Sequence, residues 1–173
     1  MSELWDAIVG GDTDGLVSLL AAGGDPDETV SGLPLLDHAV LEWAVLEWAV
    51  LEWAVLDGKP GVDCVRVLLE HGADPNLIET GRGWTPLFFA AQANEFRMMR
   101  VLLDAGTDHS VVDVDGKTAL HVAVVNARGD LTGVRMLLGA GADPDAEDRF
   151  GKSPRAIAEL IANFHTKDAF VGL

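Results

Sequence analysis

The sequence predicts an all-α repeat protein, on three observations. Four copies of one short motif recur along the chain: Leu19-Leu-Ala-Ala-Gly-Gly-Asp-Pro26, Leu68-Leu-Glu-His-Gly-Ala-Asp-Pro75, Leu102-Leu-Asp-Ala-Gly-Thr-Asp108 and Leu137-Leu-Gly-Ala-Gly-Ala-Asp-Pro144. Apolar runs at helical spacing precede the motif, as in Val62, Val65, Val67, Leu68 and Leu69. In each copy a Gly follows the helical run and accepts the left-handed conformation that stops a helix, and in three of the four a Pro soon prevents its resumption.

The strings between these copies start helices. In Gly83-Trp-Thr-Pro-Leu87, Gly116-Lys-Thr-Ala-Leu-His121 and Gly151-Lys-Ser-Pro154, Gly makes a turn and Thr or Ser is a candidate N-cap. Pro, where present, suits the first helical position. Leu4, Trp5, Ala7 and Ile8 supply a first helix near the start of the chain. Near its end, Ser153 to Leu160 opens another helix, and Thr166 to Val171 offers a short second one.

Bulk properties narrow the function classes. Forty-nine per cent apolar residues exclude general disorder. A net charge of −16 argues against nucleic acid as a partner, because affinity there comes largely from neutralising phosphates. It favours a basic or mixed-charge protein surface. Cys64 is the one cysteine, so neither a disulfide framework nor a cysteine zinc site is expected. The opening Met1-Ser-Glu-Leu-Trp-Asp6 has no basic segment leading into an apolar stretch, and a cytoplasmic location is the default expectation.

One block breaks the regular pattern. Leu41-Glu-Trp-Ala-Val45, Leu46-Glu-Trp-Ala-Val50 and Leu51-Glu-Trp-Ala-Val55 are identical pentapeptides in tandem. Packing does not demand identical copies, since neighbouring turns meet different surroundings; identity points to recent duplication of a 15-nucleotide unit. From Leu35 to Leu56 the stretch is long enough to span a membrane, but it carries Asp37, Glu42, Glu47 and Glu52. A carboxylate near the bilayer centre costs roughly 2.5–3.5 kcal/mol, so no membrane span is expected.

The repeated strings resemble the ankyrin repeat, whose unit of about 33 residues has a turn, a helix opening Thr-Pro-Leu-His, and a second helix ending Leu-Leu-x-x-Gly-Ala-Asp. The resemblance implies an ankyrin-repeat solenoid of about five units: a capping unit over 2–29, full units over 30–79, 80–112 and 113–146, and a truncated cap over 147–173. Atypical ends suit a stack whose terminal units have one wet face. On this ruler the second unit is 18 residues longer than the third between Pro34 and Gly72, and the insertion 41–55 accounts for 15 of them. In the fourth unit an extra pair falls near Ala127-Arg-Gly129.

The insertion lies at the end of the second unit's first helix. Leu, Glu and Ala are good helix formers, and no Gly or Pro occurs between Leu35 and Leu56. An extended first helix in repeat 2, about 33 Å long for 22 residues, is therefore expected. A five-residue step turns about 140°, so Leu41, Trp43, Leu46, Trp48, Leu51, Trp53 and Leu56 spiral round the axis and leave almost no polar face. Such a surface either packs back over its own unit or meets a second copy, giving a homodimer, or a partner's groove.

Catalytic and metal motifs are not found. No two histidines lie four apart on one helix, and no serine sits in a nucleophile-elbow context. Asp12-Thr-Asp14-Gly15 and Asp113-Val-Asp115-Gly116 lack the further ligands of a calcium loop, and a turn is the better reading. His121 is expected to brace the adjacent turn by hydrogen bonding. The sequence therefore carries the expectation of a protein that is not an enzyme and holds no cofactor or metal.

The resemblance further implies protein binding through a concave face of turn tips and first helices. The pattern's free positions there are Arg82, Trp84, Gln92 and Ala93, then Val114, Asp115, Lys117, Val125 and Asn126, then Arg149, Phe150 and Lys152. Trp84 and Phe150 are expected to face water at the turns, with packing of Trp84 on a neighbouring turn as the alternative. Phe88 replaces the pattern's His and is expected between units. Two roles follow: an adaptor or regulator that binds a protein and pairs with itself through the extended helix, or an inhibitor or immunity-type protein covering the active site of a basic enzyme or toxin.

Overall fold

A computed structural model describes residues 2–40, 60–161 and 166–170. The pentapeptide tract 41–55 and its expected long helix lie outside the described residues. Within them the chain is a run of short helices: α1 Glu3–Gly10, α2 Thr13–Ala21, α3 over 35–40, α4 Pro60–Glu70, α5 Pro86–Ala93, α6 Phe96–Asp104, α7 Ala119–Asn126, α8 Thr132–Gly139 and α9 Pro154–Leu160, with a 3-10 turn at Thr166–Phe170. Among the described residues the strand structure is a two-rung antiparallel ladder, β1 Thr29–Val30 against β2 Leu33–Pro34. Ser31 and Gly32, both at positive φ, form its tight turn.

The helices stop where the sequence says they should. Gly23, Gly72, Gly106 and Gly141, the motif glycines, all have positive φ. In α6 the Gly106 N–H donates to Leu103 O, and the Thr107 N–H reaches back to Leu102 O, so the last carbonyls are satisfied. Helix starts are less uniform than expected. Ser153 Oγ accepts from Ala156 N at 3.2 Å and Ser2 Oγ from Trp5 N, but the Thr85 hydroxyl makes no capping bond. At α7 the cap is inverted, with the Thr118 N–H donating to His121 Nδ1 at 3.0 Å.

Packing arranges the helices in two rows. α5 lies on α7 and α7 on α9, while α2, α4, α6 and α8 follow one another in the second row. Each first helix also packs on its own second helix, α1 on α2, α5 on α6 and α7 on α8. The row of first helices is buried almost all round: Pro86 to Ala91 of α5 and Ala119 to Val124 of α7 are all buried. The second helices are amphipathic, with Met98, Met99 and Leu102 of α6 turned inward and Arg97 and Arg100 exposed. Phe88 is buried between units, as its position implied. The extra pair in the longer loop shows as Arg128 and Gly129, both at positive φ, between α7 and α8.

Candidate functional site

Three equivalent turns precede α5, α7 and α9, and carboxylates build each of them. Asp113 Oδ1 accepts from Asp115 N at 2.8 Å and Lys117 N at 2.9 Å. Asp148 Oδ1 accepts from Phe150 N and Lys152 N, both at 2.9 Å. Glu79 does the same for Gly81 N and Arg82 N. Burial pushes Asp148 and Glu79 upward, yet the backbone N–H donors outweigh it and hold both carboxyls below their usual range. The Asp113 loop is therefore a turn, with Oδ1 of its carboxylate spent on backbone.

Successive turns are stitched edge to edge. Val114 N donates to Arg82 O at 2.9 Å, and Arg149 N to Asp115 O at 2.8 Å. His121 adds a side-chain stitch. Its Nδ1 accepts from Thr118, so its Nε2 carries the proton and faces Lys152 O at 3.0 Å, tying α7 to the next turn. This is the bracing role expected of it.

Between these turns and the first helices runs a groove of about 330 Å³. It gathers Arg82, Trp84, Gln92, Val114, Asp115, Lys117 and Asn126, together with Val125. Arg149, Phe150 and Lys152 are not among its walls. They sit on the following turn, where Phe150 is 65% exposed. Sequence reasoning missed Asp113, His121, Val122 and Ile157 as walls, and all four line the groove. Counting from the helix starts Pro86, Ala119 and Pro154, Ile157 shares its register with Phe89 and Val122, and that alignment was the signal available.

Trp84 does not face water. It is 8% exposed, stacked on Phe88 with ring centroids 5.7 Å apart and set edge-on to Phe89 at 5.1 Å. Its Nε1 donates to Asp113 Oδ2 at 3.3 Å, and the Arg82 guanidinium lies 4.9 Å above the ring. A tryptophan so placed buries more area inward than a turn tip offers outward. It shapes the wall and holds Arg82; its ring packs on α5, the helix it precedes, and it meets the neighbouring turn through the bond to Asp113.

The exposed elements of the groove are mixed in chemistry. Val114 and Val125 are more than half exposed and apolar, Gln92 and Arg82 offer donors, and Lys117 Nζ is paired with Asp115 Oδ2 at 3.1 Å. Asn126 turns its amide to Val122 O, and Asn94 Nδ2 caps Asn126 O. Such a surface suits apolar side chains flanked by backbone carbonyls or a carboxylate, the make-up of a polypeptide segment. Among the described residues no group of three or more His, Cys, Asp or Glu side chains could hold a metal ion, and no helix is long and apolar enough to cross a membrane.

Residues 51–148 match the family model for ankyrin repeats in three copies. Among curated proteins, the chain is 38% identical over 100 residues to the E3 ubiquitin-protein ligase KEG of Arabidopsis thaliana, covering 58% of this chain and 6% of that protein. It is 36% identical over 94 residues to a putative ankyrin repeat-containing protein of Treponema pallidum, 54% of this chain and 31% of the relative. A similar stretch, 33% identical over 96 residues, aligns with the mouse B-cell lymphoma 3 protein homolog, 56% of this chain and 21% of the relative. The chain thus spans about a third or less of the length of these relatives.

Proposed function

Because the chain belongs to the ankyrin-repeat family, whose repeats serve as protein–protein interaction modules, we propose that it is an adaptor or regulator that receives a protein segment in the groove between its turns and first helices. The observation that carries this reading is the convergence of Arg82, Gln92, Val114, Lys117, Val125 and Asn126 on one groove, with two valines left exposed at its rim. Exposed branched apolar groups beside unpaired donors are what an interface leaves open when its partner is absent. In this reading Trp84 anchors Arg82, and Arg149, Phe150 and Lys152 extend the contact along the next turn. The chain is divided as 2–29, 30–79, 80–112, 113–146 and 147–173. The tract bearing Trp43, Trp48 and Trp53 is a second docking element, used for self-association or for a partner. None of the ligase activity in a relative's name attaches to this chain, which covers 6% of that protein.

The charge of −16 supports a second reading, an inhibitor or immunity-type protein that covers a basic enzyme or toxin. One experiment addresses both. A photo-crosslinking residue at Val125 is expected to capture a polypeptide that the same residue at Glu70, on α4, does not. Val125→Glu is expected to weaken binding of the captured partner about tenfold or more. Identical capture from both positions removes the groove as the site. Steep loss of affinity on raising salt from about 0.05 to 0.3 M favours the inhibitor, and weak salt dependence the adaptor.

A further inference from the structure

The second helices present a face that the turn groove does not use. Aligned on Leu68-Leu69, Leu102-Leu103 and Leu137-Leu138, the chain places Arg66 of α4, Arg100 of α6 and Arg135 of α8 at one register position, two residues before each first leucine. All three are exposed, and α4, α6 and α8 are consecutive neighbours, so the arginines form a row across three helices. Arg97, also exposed, stands one turn before Arg100. These four are a third of the 12 cationic side chains in a molecule with 28 carboxylates. Among the described residues the ion pairs are Lys117–Asp115 and Arg155–Asp145, and none of the four takes part in either.

The row crosses two adjoining grooves. One, of about 510 Å³, lies between Arg66, Arg97 and Arg100 over a floor that includes Phe96, Val101 and Met136. The other, of about 580 Å³, runs from Arg100 to Arg135. Asp63 lines the first and Asp104 lines both, so the positive row is interrupted at defined places.

Spacing and chemistry together select an occupant. Packed helices lie about 8–10 Å apart, which sets the interval between successive arginines. A polypeptide in the polyproline-II conformation has three residues per turn and rises about 3.1 Å per residue, so side chains three apart share one face and repeat at roughly 9 Å. Each guanidinium accepts a carboxylate through two parallel N–H···O bonds. A nucleic-acid strand carries charge at every residue and sets phosphates against Asp63 and Asp104. A peptide can leave those registers neutral and place apolar side chains on Phe96 and Val101. We propose that this outer face binds an acidic segment of a partner protein in the polyproline-II conformation, with Asp or Glu at every third residue seated on Arg66, Arg100 and Arg135. The surface is separate from the turn groove, and neither proposal depends on the other.

The probe is a fluorescein-labelled 15-residue peptide of five Glu-Ser-Thr triplets, titrated against the full chain by polarisation. Saturable binding is expected, with at least about tenfold loss when Glu is replaced by Gln in the peptide. The triple variant R66E/R100E/R135E is expected to abolish binding with an unchanged circular-dichroism spectrum, since all three side chains are exposed. Asp104→Asn, which removes a competing carboxylate, is expected to tighten it about twofold to threefold. Val9→Ser, at an exposed position of α1 outside both surfaces, is expected to have no effect. The proposal is overturned by no saturable binding at millimolar peptide, by equal binding to the triple variant, by equal binding of an isomer with its five glutamates contiguous, or by tighter binding of a 15-nucleotide single-stranded DNA.

Discussion

At position 37 an aspartate stands at the register that Phe89, Val122 and Ile157 occupy in the later units, counted from Pro34, Pro86, Ala119 and Pro154. It is fully buried, and neither carboxyl oxygen has a hydrogen-bond partner. Burial first, and the nearby Glu79 carboxylate second, push Asp37 up from 3.8 to about 8. The folded chain therefore holds a proton here that the unfolded chain releases near pH 4. Stability linked to Asp37 is fully present below about pH 4 and is lost progressively until pH passes about 8. Asp37→Asn is expected to remove this slope, so that its advantage over the parent chain grows from pH 5 to pH 8 by an amount on the order of a few kcal/mol. Urea unfolding of both proteins at the two pH values measures it, and parallel stabilities would contradict it. The carboxylate itself was visible in the sequence; its burial was not, because hydropathy along the chain does not report what covers a residue.

At the scale of the element, the turns decide more than the helices do. Gly116 has φ 78°, and a Cβ built there lies 3.0 Å from Arg149 N, the atom that donates to Asp115 O. Gly151, at the same place in the next turn, has φ 68° but open space beside it. Both need the left-handed conformation, and only Gly116 is also pressed by a neighbouring turn. Gly116→Ala is thus expected to cost roughly 2–3 kcal/mol and Gly151→Ala about 1 kcal/mol, compared by urea denaturation. Equal costs would mean that the stitching between turns adds nothing. Helix ends, the Gly116-Lys-Thr start of α7 and the extra pair at Arg128-Gly129 were legible because turn chemistry is local. The ladder at Thr29–Pro34 was not read from the sequence, since two rungs leave no strand periodicity to detect.

For the whole molecule, the tract 41–55 and the charge of −16 are the features that set this chain apart from a plain stack. On the helix expected from the sequence, each added pentad would advance the chain about 7.5 Å and turn it about 140°, and we propose that copy number tunes self-association or partner binding. Versions carrying none to four pentads are expected to differ stepwise in mass by light scattering or in affinity for a captured partner. A series with constant mass and affinity would remove the tract from any binding role. The row of Arg66, Arg100 and Arg135 is a property of the same scale. Each arginine is one residue on one helix, and only stacking makes them neighbours.

From sequence alone came the repeat, the helix boundaries and the bracing histidine, all of which depend on short-range chemistry or on register. Tertiary structure alone decided that Trp84 faces inward, that Ile157 and Asp113 join the groove wall, and that Asp37 has no partner. The physical reason is common to all of these. Trp84 packs on Phe88 and Phe89 of its own unit yet reaches Asp113 of the next turn, and which surfaces end up covered is set by how units stack.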